Sequence, residues 1–183
     1  MSGYIQDKIL SEEEISEAIE LANSLDWHDV FQMYNLFDVQ RADVKDRENG
    51  KYGFADTLQR YSRLPNMIGF YFLRYIPGSF ARMHHDNNTD LTIVTLLEDE
   101  GLVGGHSIVT ETYNRKPRPS DQTCARSHHE IENPPYGKDI IVDVLPMERG
   151  DSLVYGPDQR HGVSKVYEGS RLVLINWFNK DPR

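Results

Sequence analysis

The sequence predicts a mainly β domain with a helical buttress, in which many short strands form a barrel or jelly roll. Two observations predict this class. An amphipathic helix is expected near the N-terminus, and from Met67 onward short segments rich in aromatic and β-branched residues alternate with turn residues. A helix followed by many short strands is typical of this α+β arrangement. With 183 residues, the chain is long enough to bury a core as one domain, residues 1–183.

The N-terminal helix is expected to begin after Ser11. Ser11 and Glu14 have the spacing of a capping box, and three consecutive glutamates in the first turn favour the positive end of the helix dipole. Apolar residues then recur at helical spacing. These residues are Ile15, Ala18, Ile19, Ala22 and Leu25. We therefore expect a helix that packs one apolar face on a sheet.

Seven strands are expected in the rest of the chain, interrupted by two long connections. The predicted strands are Met67–Tyr75, Leu91–Leu97, Ser107–Thr112, Asp139–Leu145, Ser152–Tyr155, Gly162–Val166 and Arg171–Phe178. Residues 38–66 are polar and predict a long loop with a short helix near 55–61. Residues 113–138 are rich in proline and predict a surface-loop insertion. The domain thus divides into an N-terminal helix and loop, residues 1–66, and a β core, residues 67–180.

Composition excludes several classes of protein. The formal net charge of −9 argues against a nucleic-acid partner. The single cysteine, Cys124, excludes an internal disulfide framework and suits a reducing compartment. The N-terminus does not read as a signal peptide, and no apolar stretch is long enough to cross a bilayer. We therefore expect a cytoplasmic protein with neither a nucleic-acid nor a membrane partner.

Four side chains at fixed spacing predict the chemistry. His84 and Asp86 share one face of a strand because side chains alternate, while His85 is expected to point away. His161, far downstream, completes a set of two imidazoles and one carboxylate. That set leaves half of an octahedral metal open and is typical of non-haem Fe(II) oxygenases. Arg171, on the strand after His161, is predicted to supply the cation that holds a dicarboxylate cosubstrate.

The strand that begins at Arg171 supports this interpretation. Its face is shared by three apolar residues, namely Val173, Ile175 and Trp177. An arginine in line with apolar residues is unusual for a surface but suits a barrel interior that holds an anionic ligand. For Trp177 two roles are open, closing the floor of the pocket or filling core, and core is favoured.

Each piece alone has an ordinary structural alternative. A His-x-Asp triplet occurs by chance in surface loops, and a lone histidine such as His161 is more often a satisfied polar residue than a ligand. His128 and His129 are adjacent, lack a partner at ligand spacing and predict a solvated loop. His106 and Cys124 are given no role.

The surrounding sequence resembles the prolyl-4-hydroxylase-like family of Fe(II)/2-oxoglutarate oxygenases. In that family a tyrosine precedes the first ligand, as Tyr75 precedes His84 by nine residues, with Gly78 between them. Leu91–Leu97 followed by a double glycine resembles the second core strand, and residues 146–155 resemble the family's Pro-x-x-x-Gly-Asp-x-Leu segment. The remaining matches are His161, Val166, Gly169, Arg171 and Trp177. The resemblance covers Met67 to Lys180.

The resemblance implies a fold, a set of cofactors and a reaction. The fold is a double-stranded β-helix, the jelly-roll core also found in cupins. The resemblance implies Fe(II) held by His84, Asp86 and His161. It also implies 2-oxoglutarate bound by Arg171 and Tyr75, with O2 as the oxidant and ascorbate as a candidate reductant. The expected reaction hydroxylates a C–H bond of a prolyl residue in a peptide or protein and releases succinate and CO2.

Departures from the family pattern leave the substrate open. Lys165 stands where proline usually precedes the valine, Arg171 stands where collagen-type members have lysine, and the 113–138 insertion is long. A small metabolite or a free amino acid is the alternative substrate, and a non-oxygenase, cupin-like metal-binding protein is the alternative class. Nucleic-acid demethylases place the arginine further from the distal histidine. The sequence does not define the substrate, the stereochemistry, the oligomeric state or the roles of the two long connections.

Overall fold

A computed structural model describes residues 3–31, 37–45, 51–86, 89–110 and 142–181, which form two helices and thirteen strands. The helices are α1 (Glu12–Ser24) and α2 (Gly53–Ser62). The strands are β1 (Tyr4–Lys8), β2 (His28–Phe31), β3 (Phe37–Asp43), β4 (Asn66–Tyr75), β5 (Phe80–His84), β6 (Leu91–Glu98), β7 (Val103–Gly104), β8 (Ser107–Thr110), β9 (Val142–Leu145), β10 (Asp151–Tyr155), β11 (His161–Val163), β12 (Val166–Glu168) and β13 (Arg171–Asn179).

The strands form one long curled sheet and one two-stranded ribbon. The hydrogen-bonded order of the sheet is β1-β10-β6-β13-β4-β3-β5-β11-β8-β9, and β2 pairs with β3. β7 and β12 form the ribbon. Neighbours in the sheet come from distant parts of the sequence, since β13 lies between β4 and β6, and β11 lies between β5 and β8. The predicted mainly β class with a helical buttress is confirmed.

The sheet separates two apolar clusters, and β13 contributes to both. Leu172 and Leu174 point towards α1 and α2, whereas Val173 and Ile175 belong to the cluster inside the curl of the sheet. Arg171 is on the inner face with them because strand side chains alternate, and it is 2% exposed. The predicted placement of Arg171 in line with apolar interior residues is therefore confirmed.

The two helices cover the outer face of the sheet and are tied to each other. Ser11 accepts a hydrogen bond from the Glu14 backbone N–H and Glu14 accepts one from the Ser11 backbone N–H, which confirms the predicted capping box. The Glu17 carboxylate accepts hydrogen bonds from the backbone N–H groups of Gly53 and Phe54, each at 3.1 Å, at the start of α2. Neither described helix has the length and apolar character that a membrane span requires.

Three sequence predictions about the elements need correction. The stretch 38–66, predicted as a long loop, contains most of β3 as well as α2, and only the short helix was anticipated. Residues 1–66, predicted to hold a helix and a loop, contain β1, β2, β3, both helices and the first residue of β4. The predicted single strand Gly162–Val166 is two strands, β11 and β12, which pair with different partners. The predicted strand ends at 111–112 and 139–141 and the 113–138 insertion lie outside the described residues.

A tight contact between two turns fixes the start of β13. Gly169 has φ +71°, and a Cβ atom there would lie 2.3 Å from the carbonyl carbon and oxygen of Gly101. The adjacent Ser170 backbone N–H donates to the Glu100 carbonyl at 3.0 Å. This contact sets the position of the backbone two residues before Arg171, and only glycine has room for it.

We expect Gly169→Ala to destabilise the protein by roughly 3 kcal/mol or more, because a backbone clash adds to the cost of a left-handed conformation. Gly78→Ala is the matched control. Gly78 has φ +100°, but a Cβ atom at this position would have no other atom within 4 Å, so only about 1–2 kcal/mol of conformational strain is expected there. Urea unfolding of the two variants checks the difference, and equal losses would contradict the proposed role of the contact.

Candidate metal centre

The structure brings the two predicted histidines and the aspartate together at one end of the curled sheet. His161, the first residue of β11, is the cross-strand partner of His84, the last residue of β5. Asp86 follows two residues after β5. Its Oδ1 atom lies 3.8 Å from Nε2 of His84 and 3.8 Å from Nε2 of His161. One ligand atom from each residue lies within 4.8 Å of the others. This is the spacing of three ligands around one common point.

Hydrogen bonds behind the cluster orient each of its side chains. His84 Nδ1 lies 2.7 Å from the Arg82 carbonyl oxygen, and His161 Nδ1 lies 3.1 Å from the Gln159 carbonyl oxygen. Because a carbonyl only accepts, each Nδ1 carries the proton and each Nε2 keeps its lone pair. Thr92 donates its hydroxyl hydrogen to Asp86 Oδ2 at 2.7 Å, which leaves Oδ1 directed at the histidines. Such outer contacts are typical of metal sites.

Burial keeps both imidazoles neutral at neutral pH. Desolvation lowers the pKa of His84 to about 3, and the neighbouring His161 adds to the shift while Asp86 opposes it. Desolvation also lowers the pKa of His161. Metal ions bind the neutral form of imidazole, so the two histidines are ready to act as ligands without first losing a proton.

Close packing of two strands lets the histidines meet. A Cβ atom at Gly162 would lie 2.8 Å from the Ala81 carbonyl oxygen and 3.2 Å from the Met83 nitrogen. A larger residue at this position would push β11 away from β5. The glycine after His161 therefore contributes to the site through backbone approach and not through a side chain.

Arg171 lies in the interior with only neutral acceptors around it. Its Nη1 donates to the Gly105 carbonyl at 2.6 Å, and its Nη2 donates to Ser107 Oγ at 2.7 Å. Nη2 also lies 3.8 Å from the Met147 sulfur, and Nε has no hydrogen-bond partner. Among the described residues, no carboxylate forms an ion pair with this guanidinium. Burial lowers its pKa from the ordinary value, but arginine stays charged in proteins.

Tyr75 stands directly opposite Arg171 across the strand pair. The two residues are partners in the register of β4 and β13, and the guanidinium carbon lies 5.7 Å from the centre of the Tyr75 ring. Burial raises the pKa of Tyr75 to about 12, although Arg171 opposes this shift. The neutral phenol makes no hydrogen bond to the part of the chain that the structure describes, so it can donate to a ligand.

Solved structures share this architecture. A protein of the 2-oxoglutarate–Fe(II) oxygenase family from Burkholderia pseudomallei has a TM-score of 0.66 and 15% identity over 98% of this chain and 86% of its own. A prolyl-4-hydroxylase from Pseudomonas putida has a TM-score of 0.61 and 16% identity over 100% of this chain and 95% of its own. The epimerase SnoN of nogalamycin biosynthesis, in complex with Fe3+, α-ketoglutarate and nogalamycin RO, has a TM-score of 0.65 and 14% identity over 96% and 78%.

The chain has the fold of the 2-oxoglutarate–Fe(II) oxygenases. The predicted double-stranded β-helix core is therefore confirmed, as is the resemblance seen in the sequence. At the level of sequence the relationship is distant: no protein-family profile matches the chain, and no curated protein matches it either.

A cavity lined by described residues of this fold joins the metal cluster to Arg171. Its volume is about 360 Å³, and its lining includes Tyr75, Tyr155 and all three residues of the cluster. Two predictions about orientation change here. His85, expected to point away from the site, also lines the cavity. Trp177, predicted to fill core, packs on the inner cluster but also lines the cavity, with its ring 5.3 Å from that of Tyr71.

Sequence reasoning missed several residues of the site, and most of them had no signal in the sequence. Thr92 holds Asp86 from the neighbouring strand, and Ser107 and Met147 contact Arg171 from two others. Arg41, from the stretch predicted as a loop, lines the same cavity. A hint exists only for Thr92, a buried polar residue within the apolar segment Leu91–Leu97. The predicted roles of His84, Asp86, His161, Arg171 and Tyr75 remain predictions, although their positions agree with those roles.

We expect Thr92→Val to weaken binding of Fe(II) by about 10- to 100-fold, because the Asp86 carboxylate loses the hydrogen bond that orients it. Thr95→Val is the matched control on the same strand. It removes a buried hydrogen bond to Ser152 on another side of β6, away from the cluster. Anaerobic calorimetric titration of both variants with Fe(II) checks the prediction, and an equal loss of affinity in both would contradict it.

Proposed function

We propose that this protein is an Fe(II)/2-oxoglutarate-dependent oxygenase that hydroxylates an unactivated C–H bond, with a prolyl residue in a peptide or protein as substrate. The observation that carries the proposal is Arg171. Its buried guanidinium, which has no carboxylate partner among the described residues, lines the same cavity as the His84, Asp86 and His161 cluster. A buried charge is costly unless an opposite charge compensates it. This buried charge beside the His84, Asp86 and His161 cluster supports the proposal that the cavity binds an anion next to a metal ion.

The donor set fits Fe(II). His84 and His161 offer neutral Nε2 atoms, and Asp86 offers Oδ1, while the other polar atoms of these side chains are engaged behind the cluster. Two imidazoles and one carboxylate with open positions suit non-haem Fe(II). In this role the three residues fix the ion, and the Thr92 hydroxyl keeps the carboxylate turned towards it.

The far end of the cavity fits a dicarboxylate. Arg171 would pair with the carboxylate that is remote from the metal, using Nε and the outer sides of its Nη atoms. Tyr75 would donate its phenolic hydrogen to the same molecule, because its raised pKa keeps that proton in place. Ser107 and the Gly105 carbonyl hold the guanidinium in position, so the charge of the anion is met by a cation that is already ordered.

With Fe(II) and 2-oxoglutarate bound, O2 would supply the oxidation, and succinate and CO2 would be released. The residues of this chain contribute position and a low-dielectric surrounding. Apolar side chains from β4, β10 and β13 line the cavity between the metal cluster and Arg171. They exclude water from the reacting groups and strengthen the electrostatic contacts within the site. Ascorbate is proposed as a reductant that keeps the iron in its Fe(II) state.

A cupin-like metal-binding protein without oxygenase activity is the competing class. It would account for the metal cluster but would leave the charge of Arg171 without an anion. Binding of 2-oxoglutarate to the anaerobic Fe(II)-loaded protein separates the two classes. We expect a visible metal-to-ligand charge-transfer band, followed by release of succinate when O2 is admitted. Tight iron without this band would support the cupin-like class.

The proposal that the substrate is a prolyl residue needs a test separate from that of the oxygenase class. Proline-containing peptides and free L-proline are incubated with the loaded protein, ascorbate and O2, and mass spectrometry measures the gain of one oxygen atom. Oxygen added to the prolyl ring of a peptide supports the proposal. Oxygen added only to the free amino acid, or turnover of 2-oxoglutarate without modification of any prolyl compound, would move the assignment to a small-molecule substrate.

A further inference from the structure

Two arginines line the same cavity, but only one of them forms an ion pair with a described residue. Arg171 is 2% exposed, and its partners are a carbonyl, a hydroxyl and a thioether, all neutral. Arg41 is nearer the surface, with 30% of its side chain exposed, and it forms an ion pair with Asp43. Among the described residues, the guanidinium at the inner end of the cavity therefore has no ion-pair partner, whereas the guanidinium of Arg41 is paired with Asp43.

The ion pair of Arg41 is well defined. Nε and Nη2 donate to the same oxygen of Asp43, Oδ1, at 2.9 and 2.6 Å. The other oxygen, Oδ2, lies 3.8 Å from Nε2 of His28, whose side chain is 56% exposed. Nη1 of Arg41 makes no hydrogen bond to the described residues. Arg41 therefore retains N–H donors of fixed direction while its net charge is cancelled by Asp43.

Tyr71 connects the Arg41–Asp43 pair to the three side chains His84, Asp86 and His161. The guanidinium carbon of Arg41 lies 3.9 Å from the centre of the Tyr71 ring, which fixes the arginine through a cation–π contact. Tyr71 lines the same cavity as Asp86. Burial raises the pKa of Tyr71, and the charges of Asp86 and Arg41 act on this pKa in opposite directions. The ring is thus close to both the metal cluster and the outer arginine. A molecule that reaches from the metal towards the surface would pass along Tyr71 and meet Arg41.

We propose that the Arg41–Asp43 pair selects substrates that present an uncharged hydrogen-bond acceptor, such as an amide carbonyl, and rejects the corresponding carboxylates. The free N–H groups of Arg41 can donate to a carbonyl oxygen. A carboxylate at the same place would gain little from a cancelled charge and would be repelled by Asp43. This inference rests on the proposed function, whose substrate would occupy this end of the cavity.

The rest of the outer cavity suits the body of such a substrate. Val30 and Val39 line it from β2 and β3, and Trp177 lines it beside Tyr71. These side chains offer apolar and aromatic surface, and the buried indole N–H of Trp177 has no hydrogen-bond partner. The lining combines apolar contact with unpaired donors. A neutral substrate with an apolar ring or chain and carbonyl acceptors complements both features.

Matched pairs of small probes test the inference on the Fe(II)- and 2-oxoglutarate-loaded protein under anaerobic conditions. The probes are N-acetyl-L-prolinamide with N-acetyl-L-proline, and the corresponding amide and acid of L-alanine and L-leucine. Calorimetry measures their affinities. We expect the best-bound amide to bind at least about tenfold more tightly than its acid, since both can accept a hydrogen bond from Arg41 but only the acid is repelled by the Asp43 carboxylate.

Two variants attribute the preference to the pair. Asp43→Asn keeps the size of the side chain but removes its charge, so the acid should gain about tenfold in affinity and the preference should disappear. Arg41→Gln should weaken binding of the amide and also remove the discrimination. Equal binding of acid and amide to the unmodified protein, an unchanged ratio in Asp43→Asn, or the absence of binding by every amide would overturn the inference.

The same samples report on the proposed function independently. The charge-transfer band of the bound 2-oxoglutarate depends on the metal cluster and Arg171, neither of which is changed in the two variants. A band with no amide preference would overturn the inference and leave the proposed function standing. A missing band would contradict the proposed function, and titration of the metal-free protein would still measure the ratio of amide to acid affinity.

Discussion

Replacing His161 by alanine should reduce the affinity for Fe(II) by more than about a hundredfold, the largest effect expected of a single substitution on metal binding. His161 contributes one of three ligand atoms, and its Nε2 lies 3.8 Å from Asp86 Oδ1. Substitution of a residue that only hydrogen-bonds to a metal ligand already lowers the affinity for the metal by about 10- to 100-fold. Loss of the ligand itself should therefore lower this affinity further. Anaerobic calorimetric titration with Fe(II) measures the difference.

His106→Ala is the control for this prediction. His106 is exposed beside the double glycine and takes no part in the metal cluster, so its removal should leave the affinity unchanged. Metal binding should also raise the melting temperature of the unmodified protein and of His106→Ala, because an ion that binds only the folded state stabilises it. If His161→Ala binds Fe(II) as tightly as His106→Ala does, the cluster is not the metal site.

Replacing Arg171 by methionine should reduce the affinity for 2-oxoglutarate by about a hundredfold or more, while the ligand-free protein keeps its stability. Truncation of one partner of a buried charge pair costs about 2–5 kcal/mol of binding free energy. In the ligand-free protein, however, the substitution also removes an uncompensated buried charge. That gain offsets the lost hydrogen bonds to Gly105 and Ser107, so the free energy of unfolding should change by no more than about 1 kcal/mol.

Arg74→Met is the matched control for Arg171→Met. Arg74 is on the neighbouring strand β4, but its guanidinium lies 4.2 Å from the ring of Trp27, on the face opposite to the cavity. Calorimetry with 2-oxoglutarate and urea unfolding without it should be run on both variants. A large loss of stability in Arg171→Met together with unchanged affinity for 2-oxoglutarate would mean that the arginine is structural and would remove the main support for the proposed function.

Strand periodicity and ligand chemistry are local properties, so the sequence could group the residues that lie at the inner part of the site. Alternation along a strand aligned Arg171 with the interior of the barrel, but it was also applied to His84 and Asp86, and Asp86 lies two residues beyond the end of β5. The outer part was missed. β3 carries the charged residues Arg41 and Asp43 on its inner face, where a strand usually has apolar residues. For this reason the segment lacked the alternation typical of a strand and was interpreted as a loop.

Contacts between distant segments could not be predicted in the same way. Ser107 reaches Arg171 from β8 across 64 positions of sequence, and Met147 approaches the same guanidinium across 24 positions. Neither contact follows from spacing, because each depends on which strands become neighbours in the folded sheet. The failure to foresee that His85 lines the cavity has a related cause, since alternation assigns a side chain to a face but does not show where the chain leaves the strand.

The cross-strand pairing of His84 with His161, and of Tyr75 with Arg171, has a consequence for how the protein matures. Both pairs join segments that are far apart along the chain, and such pairings form late because the entropy of closing the intervening chain must be overcome first. A nascent or partly folded chain would therefore present its histidines separately and hold iron poorly. If the proposed function holds, uptake of the ion would mark completion of the barrel, and the reactive metal would be confined to chains that have already enclosed it.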